Sequence, residues 1–600
     1  MKKIIKYLFL LTGGSFILAS CNDFLDREPL DSVTPDNFFF TENDLAAYAV
    51  KHYNFTTHEG FNAGIWRNDN ATDNQAATDY DKKWIPGQWK VPEAYDNPAS
   101  NDPWYFSAIR EANYFLETVV PRFEKGEIEG SETNIKHYIG EMYFLRAKNY
   151  LSKLETFGDF PIIKNTLPDE SASLIQASKR EPRHKVARFI LEDLDLAIGL
   201  LTNTISGGKN RITQNAALLL KSRAALYEAS WLTYHKGTAL VPGGPGWPGK
   251  AEDIADFNID TEIAFFLKEA KAAAKEVIGN AALVQNTAKD CMDETVKTDE
   301  DKYKMSNPYF AQFSANSLEG YSEILLWRAY NLLDYKIVHS APFYIRVGGN
   351  TGFTRQYVES FLCRDGKPIY ATDQYKGDES LSDVRKNRDL RLQLFLMTSG
   401  ETLSPNVMNG TPDLLPEVPQ LLDITEKRCV TGYQVRKGLS GNWYRDGNTA
   451  IEGCPVYRVA EAYLNYIEAD CMEHNGTSIG SEAAGYWGDL RERAGLPRDY
   501  TVTVNNTDLS KELDWAVYSA GKTVSPLLYN IRRERRCELL AEGLRMLDLK
   551  RWRALDQVKQ FVIQGVNLWE SDLKDKYMQD GKNLLIQEGT EGQTSNVSSY

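Results

Sequence analysis

Helical periodicity recurs along most of this 600-residue chain and limits the folds that are open to it. In residues 213–232, TQNAALLLKSRAALYEASWL, apolar residues return every three or four positions, and Thr213 stands where a helix N-cap is expected. Residues 181–201 repeat the pattern, with Val186, Ile190 and Leu194 on one face. Such helices bury their apolar faces only by stacking on neighbours. The sequence therefore predicts an all-α-dominated fold, a tetratricopeptide-like helical superhelix.

The helical segments fall into three stretches, about 40–55, 104–280 and 455–555. Between them lie two stretches, about 56–103 and 285–450, that are rich in Asn, Gly, Asp, Pro and aromatic residues. Within the second, the runs SEILLWRAY and LRLQLFLM are predicted to be strands. Because loops more often carry function than the elements they connect, we expect both stretches to be irregular insertions that face a ligand.

The N-terminus has the order of a secretory signal: a basic head, an apolar run from 7 to 18, then small residues. The run is too short to span a bilayer, and Leu18-Ala19-Ser20-Cys21 resembles a bacterial lipobox. We predict that residues 1–20 are a lipoprotein signal peptide, that residues 21–600 form the mature domain, and that Cys21 is lipidated. An ordinary secretory signal with a chance cysteine is the alternative.

The charge and aromatic content narrow the choice of partners. The formal net charge of −14 argues against nucleic acid as a partner, because both would be negative. The chain contains 12 Trp, 32 Tyr and 25 Phe, which suits stacking on ring-shaped ligands, although packed helical repeats also use aromatic residues. The six cysteines after Cys21 are scattered without zinc-ligand spacing, so most are expected to be small buried side chains.

Signatures of catalysis and of cofactor binding are missing: the sequence has no HExxH, no GxSxG and no dinucleotide fingerprint. The run GPGWPGK fits part of a phosphate loop, but Ala251 replaces the required Ser or Thr, so a surface turn is expected. The acidic runs at 68–81 and 289–302 would suit calcium, yet turn chemistry and solvated charge explain them as well. No cofactor is predicted.

Five longer motifs resemble the SusD/RagB family of Gram-negative surface lipoproteins. They are CNDFLDREPLDSVTP, MYFLRAKNYLSKLETFGDFPII, NRDLRLQLFLMTSG, YRVAEAYLNYIEA followed by LRERAGLP, and IRRERRCELLAEGLRMLDLKRW. Two departures are visible: Leu390 stands in place of the family's proline, and the chain ends EGQTSNVSSY where the family has a Pro-rich segment.

The resemblance implies a function. It implies a non-enzymatic surface lipoprotein of the outer membrane that captures oligosaccharides as the lid of a SusC-like TonB-dependent transporter. Asn22, Asp23 and Asp26 resemble the family's surface-export signal. Alternatives are peptide capture, as in the RagB branch, a lipid-anchored glycoside hydrolase, or a pure scaffold role for the repeats.

Candidate ligand-binding residues come from both insertions. Sugars present apolar C–H faces and a rim of hydroxyls, so their sites combine aromatic rings with amides, carboxylates and Arg. That mixture is densest over residues 66–95, and the family draws further aromatic contacts from its middle insertion. The candidates are Trp66, Arg67, Asp69, Asp73, Asp79, Trp84, Trp89, Tyr95, Tyr303, Tyr309, Trp327 and Tyr344. Core packing is the alternative for Trp84, Trp89 and Trp327.

The charged block at the C-terminal end is interpreted as structural. Glu534, Glu538, Glu542 and Arg545 recur about one turn apart on a helix predicted over 526–554. This spacing allows i,i+4 pairs and bidentate Arg–carboxylate contacts between stacked helices. We expect this block, and likewise Arg146, to hold helices together.

Overall fold

The computed structural model describes ten ranges of the chain. These are residues 38–59, 63–79, 104–287, 307–334, 336–398, 402–404, 413–414, 418–440, 449–558 and 561–585. Several predictions lie outside the described residues, namely those for the signal peptide, Cys21, Trp84, Trp89, Tyr95, Tyr303 and the acidic run at 289–302.

The first half is a stack of helices, as predicted. They are α1 Glu42–Lys51, α2 Ser107–Glu124, α3 Glu132–Phe157, α4 Ser171–Ala177, α5 Arg183–Leu200, α6 Gln214–His235 and α7 Ile259–Asn280. Except for α4, which buries no side chain, neighbouring helices share one core that includes Tyr150, Leu194 and Ala225. Among the described residues, no helix combines the length and the apolar character needed to cross a membrane.

Local signals begin and end these helices where the sequence indicates. Thr213 caps α6, because its Oγ1 accepts a hydrogen bond from the backbone N–H of Ala216 at 3.3 Å. α3 ends at Phe157, and the next residue, Gly158, has φ of 74°, a conformation that suits glycine. Residues 244–250 form turns before a short 3₁₀ helix, Ala251–Ile254, as expected for GPGWPGK.

The middle of the chain packs as short elements around a second core. Its helices are α8 Pro308–Ala311, α9 Ala341–Val347, α10 Arg355–Ser360, α11 Leu381–Arg385 and α12 Leu390–Phe395. Its strands are β2 Ile324–Arg328, β3 Thr351–Phe353, β4 Thr402–Ser404 and β5 Asp413–Leu414. β3 pairs antiparallel with β1 Gln75–Ala77, so the two predicted insertions meet.

One strand prediction here is confirmed and one is wrong. SEILLWRAY contains β2, which pairs antiparallel with β6 Cys454–Arg458. LRLQLFLM instead forms helix α12, because the Asp389 side chain caps it by accepting the N–H of Arg391 at 2.9 Å. The chain becomes extended only after this helix, where Leu396 bridges to Val435.

The C-terminal part returns to helices. They are α13 Ala460–Glu473, α14 Ser481–Arg493, α15 Thr501–Asn505, α16 Pro526–Glu538, α17 Arg545–Arg551 and α18 Leu573–Lys576. The hairpin of β7 Tyr518–Ser519 with β8 Lys522–Thr523 precedes α16, and the hairpin of β9 Met578–Gln579 with β10 Lys582–Asn583 follows α18. α13 packs against α7 of the first half, so one layer of helices continues across the molecule.

The prediction of a single helix over 526–554 is wrong, because the helix is interrupted between α16 and α17. Ala541 and Gly543 take φ of 60° and 84° there, which no helix accommodates. Their backbone N–H groups donate to the Asp69 carboxylate, each at 3.1 Å. A distant carboxylate therefore stabilises the turn.

The described cysteines behave as small buried side chains. Cys363, Cys429, Cys454, Cys471 and Cys537 are buried and free. Burial raises the pKa of the Cys363 thiol to about 11, so the thiol stays protonated and unreactive at neutral pH.

Candidate ligand-binding site

The C-terminal charged block lies inside the protein. The Glu538 carboxylate accepts hydrogen bonds from Arg391 at 3.1 Å, from Arg458 at 2.7 Å and from Arg493 at 2.6 Å. Burial alone would raise the pKa of Glu538, but the three guanidinium groups hold it well below its ordinary value. The block joins elements, as expected, but through partners on other segments and not through i,i+4 pairs.

The two carboxylates predicted to meet a ligand at 69 and 73 bind protein groups instead. Asp73 is completely buried, and its oxygens accept from Arg545 at 2.8 and 2.7 Å and from Arg536 at 3.1 Å. Asp69 accepts from Asn74 Nδ2 at 2.9 Å, and burial raises its pKa to about 6. Because their acceptors are occupied, these residues fasten segment 63–79 to the turn between α16 and α17.

The structure brings together three candidates from the two insertions. The Trp66 and Tyr344 rings stack with centroids 6.5 Å apart and planes 9° apart, and the Arg67 guanidinium lies 5.5 Å from the Trp66 ring. Trp66 is 0% exposed and Tyr344 is 9% exposed, whereas Arg67 is only half-buried. The two rings therefore pack on each other, and Arg67 is the member that reaches solvent. Asp79 is exposed nearby in sequence.

The remaining described candidates are core residues. Tyr309 is buried, donates its hydroxyl hydrogen to Glu538 at 3.2 Å and lies under the Arg493 guanidinium. Trp327 packs with Leu318 and Ile324, which is the core-packing alternative. Protein groups surround both rings, so neither ring offers a face to a ligand.

A cavity that the sequence analysis missed opens at the start of α2. It encloses about 540 Å³ between the first turns of α2, the loop that follows α3, and α4. Its lining residues are Trp104, Phe106, Ile109, Arg110, Asn113, Pro161, Ile163, Asn165, Leu167, Pro168, Asp169, Leu174 and Ser178. A volume of 300–1,000 Å³ with mostly apolar walls is typical of small-molecule sites.

Aromatic rings form one wall of this cavity, which we call the Trp104 cavity. The half-buried Trp104 ring meets the rings of Phe157 and Phe160 edge-on, with centroids 4.9 Å apart in both pairs. Phe106 stacks on Phe160 at 5.0 Å, and the Arg180 guanidinium lies 4.8 Å from the Trp104 ring. These contacts fix the ring positions before any ligand arrives.

Asn113 and Arg146 hold the floor of the Trp104 cavity in place. The Asn113 amide donates to the carbonyls of Ile163 at 2.9 Å and Asn165 at 3.2 Å, and its oxygen accepts from Arg146 at 2.9 Å. Arg146 also makes a bidentate ion pair with Asp193, both bonds at 2.7 Å. The structural role expected for Arg146 is therefore visible, and its effect is to position the loop after α3.

The sequence contains only a weak signal for the Trp104 cavity. Trp104, Tyr105 and Phe106 form an aromatic triplet just before the first residue of α2, outside the apolar stripe of that helix. Ile109 and Ile163 look like ordinary core residues in the sequence. Within the described ranges, no group of three or more His, Cys, Asp or Glu residues could hold a metal ion.

Known structures share this fold at low sequence identity. A SusD-like carbohydrate-binding protein from Bacteroides fragilis is 18% identical, with a TM-score of 0.58, covering 91% of this chain and 93% of that chain. Another solved structure, described as containing a xylogluco-oligosaccharide, is 17% identical with a TM-score of 0.50, covering 85% of this chain and 82% of that chain.

Sequence comparison identifies the family. SusD-like protein P2 of Formosa agariphila is 27% identical over 557 residues, covering 90% of this chain and 89% of the relative. A family model described as "Starch-binding associating with outer membrane" matches residues 23–226. The model of the SusD family matches residues 296–598, about half of the chain. The chain belongs to the SusD family.

Proposed function

We propose that this protein is a surface lipoprotein of the outer membrane that binds oligosaccharides and delivers them to a SusC-like TonB-dependent transporter. The observation that carries the binding role is the Trp104 cavity, which combines aromatic walls with a polar rim. The family description, which names starch binding and the outer membrane, supports the same role and location. The lipid anchor at Cys21 and the transporter partner are part of the proposal, and the lipobox-like sequence and the family resemblance support them.

The chemistry of the cavity suits a sugar ring better than a charged metabolite. Trp104 and Phe106 line the cavity with apolar ring surface, which suits contact with the C–H face of a sugar. Arg110, Asn165 and Asp169 are exposed at the rim, where they can donate to and accept from hydroxyl groups. Arg110 and Asp169 carry opposite charges, and the Arg180 guanidinium beside Trp104 adds one further positive charge.

A binding role accounts for this lining better than hydrolysis does. Glycoside hydrolases usually place two carboxyl groups on either side of the scissile bond. Among the described residues that line the cavity, Asp169 supplies a single carboxyl group, and it lies at the exposed rim. Capture of an apolar peptide side chain by the same walls remains the second candidate, as in the RagB branch.

The other sequence candidates extend the same proposal. Trp84, Trp89 and Tyr95 precede Trp104 closely in the sequence, and Tyr303 belongs to the middle insertion. Arg67 and Asp79 are the described candidates of the first insertion that reach solvent. We propose these six residues as further contacts for a ligand longer than the cavity.

Glycan binding by the purified mature chain tests the proposal. We expect binding on a glycan array, no new reducing ends after incubation, and a loss of affinity of about tenfold or more in Trp104→Ala. Trp231→Ala is the matched control, because Trp231 is also half-buried under an arginine, Arg183, but lies away from the cavity. Equal affinities of the two variants, or release of reducing ends, would contradict the proposal.

A further inference from the structure

The inner part of the Trp104 cavity has few hydrogen-bonding groups left for a ligand. Both N–H groups of the buried Asn113 amide are used by the loop after α3. The Tyr150 hydroxyl accepts from the N–H of Ile163 at 2.8 Å and donates to its carbonyl at 3.1 Å. The buried Pro161 carries no N–H at all. The depth of the cavity is therefore lined by satisfied or apolar groups.

The exposed residues at the mouth of the cavity include both polar and apolar side chains. Arg110, Asn165 and Asp169 are exposed there and can meet hydroxyl groups. Leu174, on helix α4, also lines the cavity and is 42% exposed, and Ser178 follows at the end of that helix. A ligand that fits must therefore be amphipathic, with its apolar part inward and its polar part at the rim.

An unsubstituted sugar is not divided into an apolar part and a polar part. Each sugar ring carries hydroxyl groups around its edge, and a hydroxyl buried without a partner weakens binding on the order of tenfold. An acyl or aryl group attached to a sugar carries few or no donors and gains from leaving water. The cavity therefore matches the substituent better than it matches the ring.

We propose that the Trp104 cavity receives an apolar substituent, an acyl or aryl group, of a decorated glycan, while the sugar to which it is attached meets the rim. This inference rests on the proposed function and names the class of glycan that the same site takes. Trp104 and Phe106 then contact the substituent, and Arg110, Asn165 and Asp169 contact the sugar.

Matched ligand pairs test this selectivity by calorimetric titration of the mature chain. Three pairs are the 4-nitrophenyl and methyl glycosides of glucose, galactose and xylose. The fourth pair is acetylated xylo-oligosaccharides before and after mild alkaline deacetylation. We expect the substituted member of at least one pair to bind tenfold or more tightly than its bare partner.

The outcomes separate this inference from the proposed function. If bare and substituted members bind equally, or neither binds while bare glycans on the array do, the inference is overturned and the proposed function stands. If 4-nitrophenol alone binds as tightly as its glycosides, the sugar contributes nothing, and the assignment to a decorated glycan is overturned. If no glycan of either kind binds, both fail.

Two neighbouring variants on α4 locate the effect. Leu174→Asp places a charge at the cavity mouth, whereas Ile175→Asp places the same charge one residue away, at a side chain that is 73% exposed and does not line the cavity. Because both side chains reach solvent, both variants should fold with similar melting temperatures. We expect only Leu174→Asp to lose the preference for substituted glycans. Equal preference in the two variants would overturn the inference.

Discussion

Replacing Glu538 by Gln tests whether the buried charge network stabilises the fold. The Glu538 side chain is 0% exposed and accepts from Arg391, Arg458 and Arg493. Gln keeps the size but removes the negative charge, and its amide hydrogens would face guanidinium groups. Removing one partner of a buried ion pair costs about 3–5 kcal/mol. We expect the free energy of unfolding at pH 7 to fall by about that amount.

The assay is urea unfolding followed by circular dichroism, with Glu492→Gln as the control. Glu492 pairs with Arg498 at 2.6 Å, but both side chains are about half exposed, at 54% and 50%. An exposed pair contributes only about 0.2–1 kcal/mol. If Glu538→Gln lowers the unfolding free energy no more than the control does, the network is not what holds these segments together.

The pH dependence gives the same prediction a second check. The pKa of Glu538 is depressed in the folded protein, so its stabilising contribution is present above its unfolded pKa, about 4.5. As the pH falls below that value towards the folded pKa, the contribution is lost. The difference between the wild type and Glu538→Gln should therefore narrow below about pH 4.5, while it stays constant between pH 6 and pH 8.

Three further predictions concern the anchor, the partner and His235. Cys21→Ala should release the protein from the outer membrane, and normal surface display on whole cells would contradict the anchor. Pull-down in mild detergent, from cells grown on the inducing glycan, should recover a large β-barrel protein, since obligate complexes bury more than about 2,000 Å²; recovery of the chain alone would count against it. Burial lowers the pKa of His235 to about 4, so stability should fall as the pH drops from about 6.5 to 4. His235→Gln should flatten that fall in a melting-temperature series, and an unchanged slope would show that other groups cause it.

Local signals made the helical part of the fold predictable. Thr213 and Gly158 mark helix ends through chemistry that involves only near neighbours in the chain. The failures occur where a distant residue decides the conformation. The helix break after Glu538 depends on Asp69. The Asp69 carboxylate accepts a hydrogen bond from the N–H of Ala541, which lies 472 positions later in the chain. No local pattern shows such a partner.

The Trp104 cavity lies outside both stretches in which ligand contacts were predicted, because all its lining residues fall between 104 and 178. The composition of 66–95 suggested aromatic platforms, but Trp66 is covered by Tyr344, a residue from the other insertion. The sequence does not reveal the Trp104 cavity, because Ile109, Ile163 and Leu174 come from three different elements. They line a cavity only once those elements pack together. Which apolar residues face a cavity, and which face the core, depends on that packing.

The ion pair between Asp73 and Arg545 has a consequence for the time course of folding. The two residues are 472 positions apart in the chain. At a synthesis rate of about 5–20 residues per second, Asp73 leaves the ribosome roughly 25–95 s before its partner does. Segment 63–79 cannot take its final place in that interval, because its anchoring arginines do not yet exist. The second core, in which Ile65 and Trp66 pack with Leu540 and Ala541, is therefore completed only near the end of synthesis.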